Sequence, residues 1–96
     1  MKVVWTRQAQ NRLAEILGYI EAEFGTIRRE SFRSKVKDFT ALLSEFPEMG
    51  TLEVKDKNLR GFQITRQTRV FYRLKGKTII ILTLFDSRQD PKKKPK

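Results

Sequence analysis

The sequence of 96 residues contains no cysteine and no histidine, and its longest apolar run is short. Without cysteine there is no disulfide framework and no thiolate nucleophile, which fits a reducing environment. Without histidine the commonest general base and metal ligand are missing. No run approaches the roughly 20 apolar residues that span a bilayer, and the start MKVVWTRQ lacks the apolar core of a signal peptide. We therefore expect a cytoplasmic protein with no metal, no cofactor and no membrane segment.

Acidic residues are fewer than basic residues in this sequence. The chain has 21 lysines and arginines against 11 aspartates and glutamates, for a formal net charge of +10. Residues 1–46 hold 8 basic and 6 acidic side chains, whereas residues 47–96 hold 13 and 5. Such a surface attracts nucleic acid or an acidic protein and speeds the encounter with either. A basic protein without such a partner is the alternative interpretation.

The first half of the chain predicts one strand and two helices. KVVW is typical of a short strand, and Thr6 follows it as a helix N-cap. The first helix ends at Gly25, and the second, with Thr26 as its cap, is stopped by Pro47. So short a connection predicts an antiparallel helical hairpin. The apolar stripes of the two helices comprise Ala9, Leu13, Ile16, Leu17, Ile20 and Phe24, and then Phe32, Val36, Phe39, Leu42, Leu43 and Phe46.

In the second half the apolar period changes to two, which is typical of strands. LEVK reads as a short edge strand, and another strand contains Phe62 and Ile64. Residues 69–74 and 78–85 predict a hairpin that turns at Gly76. Because residues 78–85 are apolar on both faces, they are expected to lie inside the sheet.

These elements predict a single α+β domain over residues 1–91. An N-terminal strand and a two-helix antiparallel hairpin pack on a mainly antiparallel sheet of about four to five strands. Residues 92–96, KKKPK, are expected to form a basic, disordered tail. Alternate residues of the strand 69–74 face the helices, namely Val70, Tyr72 and Leu74. The other face then carries Arg69, Phe71 and Arg73, with Arg66 near its rim.

Four segments, in this order, resemble toxins of the RelE/ParE superfamily from bacterial type II toxin–antitoxin systems. They are VVWTRQAQNRLAEILGYIEAEFG, FPEMG, LRGFQI with TRVFYRLKGKTIIIL, and LFDSRQDP, and they cover residues 3 to about 92. The resemblance implies a RelE/ParE-like fold and a cognate antitoxin that neutralises the toxin. It also implies one of two activities, because one branch of the superfamily cuts mRNA on the ribosome and the ParE branch poisons DNA gyrase by binding.

RNA cleavage through the 2′-hydroxyl needs a base, cations around the phosphate and an acid for the leaving oxygen. If this chain is a nuclease, the resemblance makes Arg66, Arg69, Arg88 and Tyr72 the catalytic candidates. No tyrosine follows Tyr72, no histidine exists, and Tyr72 belongs to the core-facing alternation. We therefore favour a ParE-like gyrase inhibitor with no catalytic residue. The alternatives are a RelE-like ribosome-dependent mRNA endonuclease and a non-toxic basic nucleic-acid-binding module.

Under the favoured interpretation, the basic face binds a partner. Its candidate residues are Arg66, Arg69, Phe71, Arg73, Asp86 and Arg88. Asp86 or Asp90 holds Arg88 in place, or Arg88 pairs with a carboxylate of the antitoxin. An acidic antitoxin segment is expected to add a strand at the sheet edge or to lay a helix on the helical hairpin. There, Ile27, Phe32 and Phe46 are candidates to line a groove, although they serve equally well as core residues. No small-molecule substrate and no membrane partner are expected.

Overall fold

The computed structural model describes residues 1–89. The elements are β1 (Lys2–Trp5), α1 (Arg7–Phe24), α2 (Thr26–Glu45), β2 (Thr51–Val54), β3 (Leu59–Gln63), β4 (Thr68–Lys75), β5 (Thr78–Asp86) and a 3-10 turn at Ser87–Gln89. The predicted basic tail, residues 92–96, lies outside the described residues. Neither helix of the described chain has the length and hydropathy needed to cross a membrane.

The five strands form one sheet in the order β1-β5-β4-β3-β2. β1 runs parallel to β5, and every other pair of neighbouring strands is antiparallel. β5 is an inner strand, as its apolar sequence predicts. The predicted α+β class, with an N-terminal strand, a helical hairpin and a mainly antiparallel sheet, is confirmed.

Local signals in the sequence start and end the helices. Thr6 caps α1, because its hydroxyl oxygen accepts a hydrogen bond from the Ala9 N–H at 3.0 Å. Gly25 separates the helices at φ 92°, a conformation that suits glycine. The prediction that Thr26 caps α2 is wrong. Thr26 is the first helical residue, its hydroxyl donates to Glu21 at 3.2 Å, and Gly25 occupies the cap position.

Both helices pack against the same face of the sheet, and the core lies between these two layers. Its buried members are Ala9, Ile16, Ile20, Phe32, Val36, Phe39, Leu43, Val70, Tyr72, Ile79, Ile81 and Leu84. Three residues of the predicted stripes stay outside, since Phe24, Leu42 and Phe46 are 48%, 47% and 56% exposed. Leu42 precedes the buried Leu43 by about 100° of helix rotation, so only one of the two faces the sheet.

A β-bulge in β5 changes which of its residues face the core. Opposite β4, Phe71 pairs with Thr83 and Tyr72 pairs with Ile81, so Leu82 is an additional residue in β5. The buried positions of β5 therefore switch from odd to even numbers and are Ile79, Ile81, Leu84 and Asp86. The switch turns the Asp86 carboxylate toward the helix side of the sheet.

Candidate partner-binding surface

The face of the sheet turned away from α1 and α2 presents three side chains of β4. Arg69, Phe71 and Arg73 alternate with Val70 and Tyr72, which are fully buried on the helix side. The strand register places Arg69 between Gln63 and Phe85, and Arg73 between Leu59 and Ile80. We call the surface formed by Leu59, Gln63, Arg69, Phe71, Arg73, Ile80 and Phe85 the open face. It combines arginine with apolar and aromatic neighbours.

Arg69 is held in one orientation on the open face. Its Nη2 donates to the Glu53 carboxylate at 2.8 Å, and its Nη1 donates to the Gln63 side-chain oxygen at 3.3 Å. The guanidinium carbon lies 5.7 Å from the centroid of the Phe71 ring. A Cβ at Gly61 would lie 2.7 Å from Nη2, so the glycine leaves room for this arginine. Arg69 is therefore a positioned cation with part of its charge already compensated.

Arg73 has fewer hydrogen-bond partners than Arg69, the other arginine of the open face. Its Nε is buried and has no hydrogen-bond partner among residues 1–89. The apolar side chains of Leu59 and Ile80 lie opposite it on the neighbouring strands. A buried donor without a partner costs about 1–3 kcal/mol.

Tyr72 lies on the other side of the sheet from these arginines. Its ring is fully buried, which confirms the prediction that it packs in the core. The hydroxyl donates to the Pro47 carbonyl at 2.9 Å and accepts from the Gly50 N–H at 2.9 Å. Burial is the main cause that raises the pKa of the Tyr72 hydroxyl above its ordinary value. The hydroxyl therefore fastens the turn after α2 to the sheet.

Arg88 is fixed by Asp86, one of its three expected partners, and it lies on the helix side of the sheet rather than on the open face. Its Nε and Nη2 donate to the two carboxylate oxygens at 2.9 and 2.6 Å, and Thr68 donates to the same carboxylate at 2.8 Å. Burial alone would raise the pKa of Asp86. The hydrogen bonds from Arg88 and Thr68 outweigh it and hold that pKa below its ordinary value. The Arg88 guanidinium carbon also lies 5.7 Å from the centroid of the Tyr19 ring. Asp90 lies outside the described residues.

The structure does not bring the four nuclease candidates together. Arg66 is exposed in the turn between β3 and β4, and Arg69 lies on the open face. Arg88 is paired with Asp86, while Tyr72 is buried beneath the helices. Among residues 1–89 there is also no cluster of acidic side chains that could hold a metal ion. The four candidates therefore lie in separate places, and the tyrosine nearest to one of these arginines is Tyr19, beside Arg88, rather than Tyr72.

The three apolar candidates on the helical hairpin occupy different environments. Ile27 is 86% exposed at the start of α2, and Phe46 is exposed just after its end. Phe32 is buried in the core at 5% exposure. Nineteen residues of helix, about 28 Å at 1.5 Å per residue, separate Ile27 from Phe46. The structure therefore does not bring these three side chains into one compact groove.

The sequence analysis missed a groove between α2 and β3. Its volume is about 340 Å³, and its lining is Lys35, Asp38, Phe39, Leu42, Met49, Phe62 and Ile64. The sequence did contain a sign of this groove: Leu42 and Leu43 are adjacent, and only one of two neighbouring helix positions can face the sheet, so the other leucine stays exposed.

The sequence analysis also missed Arg60. It donates to the carbonyls of Gly50 and Glu48 at 2.9 and 3.2 Å, so it braces the turn after α2.

An N-terminal strand and a helical hairpin on one face of a five-stranded mixed sheet form a ParE-like fold. A chain described as the chromosomal ParDE toxin–antitoxin system from P. aeruginosa aligns with a TM-score of 0.75 and 22% identity, covering 90% of this chain and 95% of that one. The YoeB/ParE toxin from Agrobacterium tumefaciens aligns with a TM-score of 0.61 and 17% identity, covering 90% and 98%. These likenesses establish the fold.

The sequence itself decides the family. Residues 3–91 match the family described as the ParE toxin of the parDE type II toxin–antitoxin system. The chain therefore belongs to the ParE toxin family. No curated protein is similar enough to this chain to count as a match.

Proposed function

We propose that this ParE-family toxin inhibits DNA gyrase by binding it through the open face of the sheet, without cutting nucleic acid. The observation that carries the proposal is the placement of Arg69 and Arg73 on one side of the sheet and of Tyr72 on the other. Binding to gyrase places the proposed activity in the cytoplasm.

The separation of these residues supports docking over cleavage. An acid that protonates the leaving oxygen contributes typically about 10²–10⁴ in rate and must lie within hydrogen-bond reach of it. The Tyr72 hydroxyl instead donates to Pro47 on the helix side, and burial raises its pKa. Arg88 is engaged by Asp86 at the end of β5. These groups do not surround one phosphate.

The open face has the composition of a protein-binding surface. Arginine and aromatic residues supply most of the strong contacts at protein interfaces, especially where neighbouring apolar residues exclude water. Arg73 is half-buried and forms no ion pair with any of residues 1–89, and Phe71 lies half-buried beside it. Phe85, 41% exposed, extends the apolar part of this surface. A carboxylate or carbonyl of gyrase that reaches Arg73 would then be shielded from solvent.

We also infer that an acidic antitoxin neutralises the toxin by occupying the groove between α2 and β3. An amphipathic segment would place its apolar side chains against Leu42, Phe39 and Phe62 in this groove. Lys35 and Asp38 balance each other in the groove lining, so it is the net charge of +10 on the whole chain that favours a partner rich in acidic residues. The groove and the open face are on different sides of the sheet, so the proposal separates neutralisation from gyrase binding.

A direct comparison of two assays tests the gyrase proposal. Purified protein is titrated into a gyrase supercoiling reaction with relaxed plasmid, and in parallel into ribosomes translating a defined mRNA. We expect dose-dependent loss of supercoiling with accumulation of cleaved plasmid, and intact mRNA. Cleavage of the mRNA that disappears in Arg69→Ala, with supercoiling unaffected, would establish the endonuclease instead.

Two exposed positions of α2 test the antitoxin groove. Leu42 lines the groove, whereas its exposed neighbour Ala41 does not. Leu42→Glu is expected to weaken binding of the cognate antitoxin at least about tenfold, equivalent to about 1.4 kcal/mol. Ala41→Glu, which adds the same charge, is expected to leave that affinity unchanged. Equal effects of the two substitutions would rule the groove out as the antitoxin site.

A further inference from the structure

A second cationic site lies away from the open face, where α2 meets the turn between β3 and β4. A cavity of about 140 Å³ is present there. Its polar lining consists of Arg28, Ser31, Lys35, Thr65, Gln67 and Arg88. Because a single water needs only about 10–15 Å³ of such space, the cavity has room for a small ion. It belongs neither to the open face nor to the binding role proposed for that face.

The cavity has a positive charge that its own lining does not compensate. None of its lining residues is acidic. Arg28 and Lys35 form no ion pair with any of residues 1–89. Arg88 is paired with Asp86, which lies behind it and outside the lining. Three cations and this one carboxylate leave a formal charge of +2, so an anion in the cavity is favoured.

The fold brings these cations together from distant parts of the chain. Arg28, Ser31 and Lys35 are three and four residues apart, so they share one side of α2. Arg88 arrives from the 3-10 turn after β5. Its Nε and Nη2 bond to Asp86, and its Nη1 donates to no acceptor in residues 1–89. One guanidinium nitrogen therefore remains as a donor on an otherwise fixed side chain.

The turn between β3 and β4 adds neutral donors to the same cavity. The Thr65 hydroxyl oxygen accepts hydrogen bonds from the N–H groups of Gln67 and Thr68 at 3.2 and 3.0 Å. Its own hydrogen has no acceptor among residues 1–89, and Ser31 contributes a second hydroxyl from α2. The cavity thus combines cations and hydroxyl donors from three separate elements of the fold.

We propose that this cavity binds a dianionic phosphate group, as free inorganic phosphate or as the phosphomonoester of a mononucleotide. The formal charge of +2 matches the charge of about −1.5 to −2 that a phosphomonoester carries at neutral pH, and its oxygens accept several hydrogen bonds at once. A carboxylate carries half that charge. The half-exposed ring of Phe24 lies at the same cavity and offers a base a surface for stacking.

Amide and side-chain NMR of the labelled full chain tests the site with inorganic phosphate as the probe, at constant ionic strength set by chloride. We expect saturable shifts of the Arg28 and Arg88 side-chain N–H signals and of the Thr65 and Gln67 amides. Arg28→Gln/Lys35→Gln should weaken phosphate binding tenfold or more. The matched control Arg33→Gln/Lys37→Gln removes the same charge from exposed positions of α2 outside the cavity, and should bind phosphate as the unsubstituted chain does.

Two further titrations, with adenosine 5′-monophosphate and with acetate, identify the ligand. An adenosine 5′-monophosphate titration that gives tighter binding than phosphate assigns the site to a nucleotide, whereas equal affinity assigns it to the phosphate ion alone. Acetate is expected to bind far more weakly at the same residues. Acetate binding as tight as phosphate binding, an equal loss in the control variant, or no saturable shift at these residues would each overturn the proposal. Gyrase inhibition by the same variants is measured separately, because the cavity and the open face need not fail together.

Discussion

Neighbouring residues of β4 experience two different environments. Toward the helices, Val70 and Tyr72 are fully buried, and the Tyr72 hydroxyl is bonded to two backbone groups. Toward the other side, Arg69, Phe71 and Arg73 are half-buried, and one arginine nitrogen has no partner among residues 1–89. One face of the strand therefore packs in the core, while the other faces away from the helices and keeps a buried arginine nitrogen without a partner in the described chain.

The largest expected effect compares two adjacent aromatic residues across the sheet. Tyr72→Ala removes a fully buried ring and should lower the free energy of unfolding by about 3–5 kcal/mol. Phe71→Ala, on the open face, should lower it by less than about 1 kcal/mol. Urea denaturation of both variants measures the difference. Similar losses would mean that the open face contributes to the core after all.

The Asp86 carboxylate gives the next largest effect, and it depends on pH. Because its pKa is lower in the folded than in the unfolded chain, its stabilisation is present above the unfolded value of about 3.9. It is lost as the pH falls through the folded-state pKa. Asp86→Asn should therefore cost about 1–3 kcal/mol at pH 7, and that cost should shrink toward zero in strong acid.

Denaturation curves between pH 7 and pH 2 check this dependence. Asp38→Asn, at an exposed position of α2 without an ion pair in the described chain, is the control and should stay within about 0.5 kcal/mol of the unsubstituted chain. A cost of Asp86→Asn that does not change with pH would show that the carboxylate's charge is not what stabilises this corner.

Two glycines extend the comparison between the faces. A Cβ at Gly50 would lie 2.7 Å from the Tyr72 hydroxyl and 2.9 Å from the Gly61 carbonyl, within the buried layer. The nearest atoms to a Cβ at Gly61 would all belong to the Arg69 guanidinium, the end of a long side chain that can shift at the cost of its bonds to Glu53 and Gln63. Gly50→Ala should cost about 1–3 kcal/mol through this overpacking, and Gly61→Ala clearly less. Thermal or urea unfolding distinguishes them, and the reverse order would contradict the assignment of the two faces.

The smallest expected effect is on the ion pair of the open face. Glu53→Gln removes the partner of Arg69, but the pair is partly exposed and should contribute at most about 1 kcal/mol to stability. The same substitution leaves Arg69 without its carboxylate and should strengthen gyrase binding if the partner supplies an acidic group. A stability loss well above 1 kcal/mol would show that the pair is structural.

Sequence reasoning succeeds here where the signal is local. The apolar period of α1, the Thr6 cap and the alternation around Phe71 all depend on residues within a few positions of one another. Proline and glycine at the ends of segments indicated the helical hairpin and the tight turn at Gly76. These features follow from the spacing of apolar residues along the chain and from the backbone preferences of glycine and proline.

Features that depend on distant contacts could not be predicted in the same way. The bulge at Leu82 appears only in the pairing of β5 with β4. The cavity joins Arg28 and Arg88, which are sixty residues apart in the chain. The wrong assignment of Thr26 has a local cause instead, because the adjacent Gly25, with positive φ, occupies the cap position.

Gyrase supercoiling in the presence of an open-face variant tests the central claim most directly. The account predicts that the unsubstituted toxin and the control Arg33→Ala/Lys37→Ala inhibit with equal potency. Arg69→Ala/Arg73→Ala should require at least about tenfold more protein, equivalent to about 1.4 kcal/mol of binding free energy. Unchanged potency of the Arg69→Ala/Arg73→Ala variant, or full supercoiling with saturating unsubstituted toxin, would contradict it.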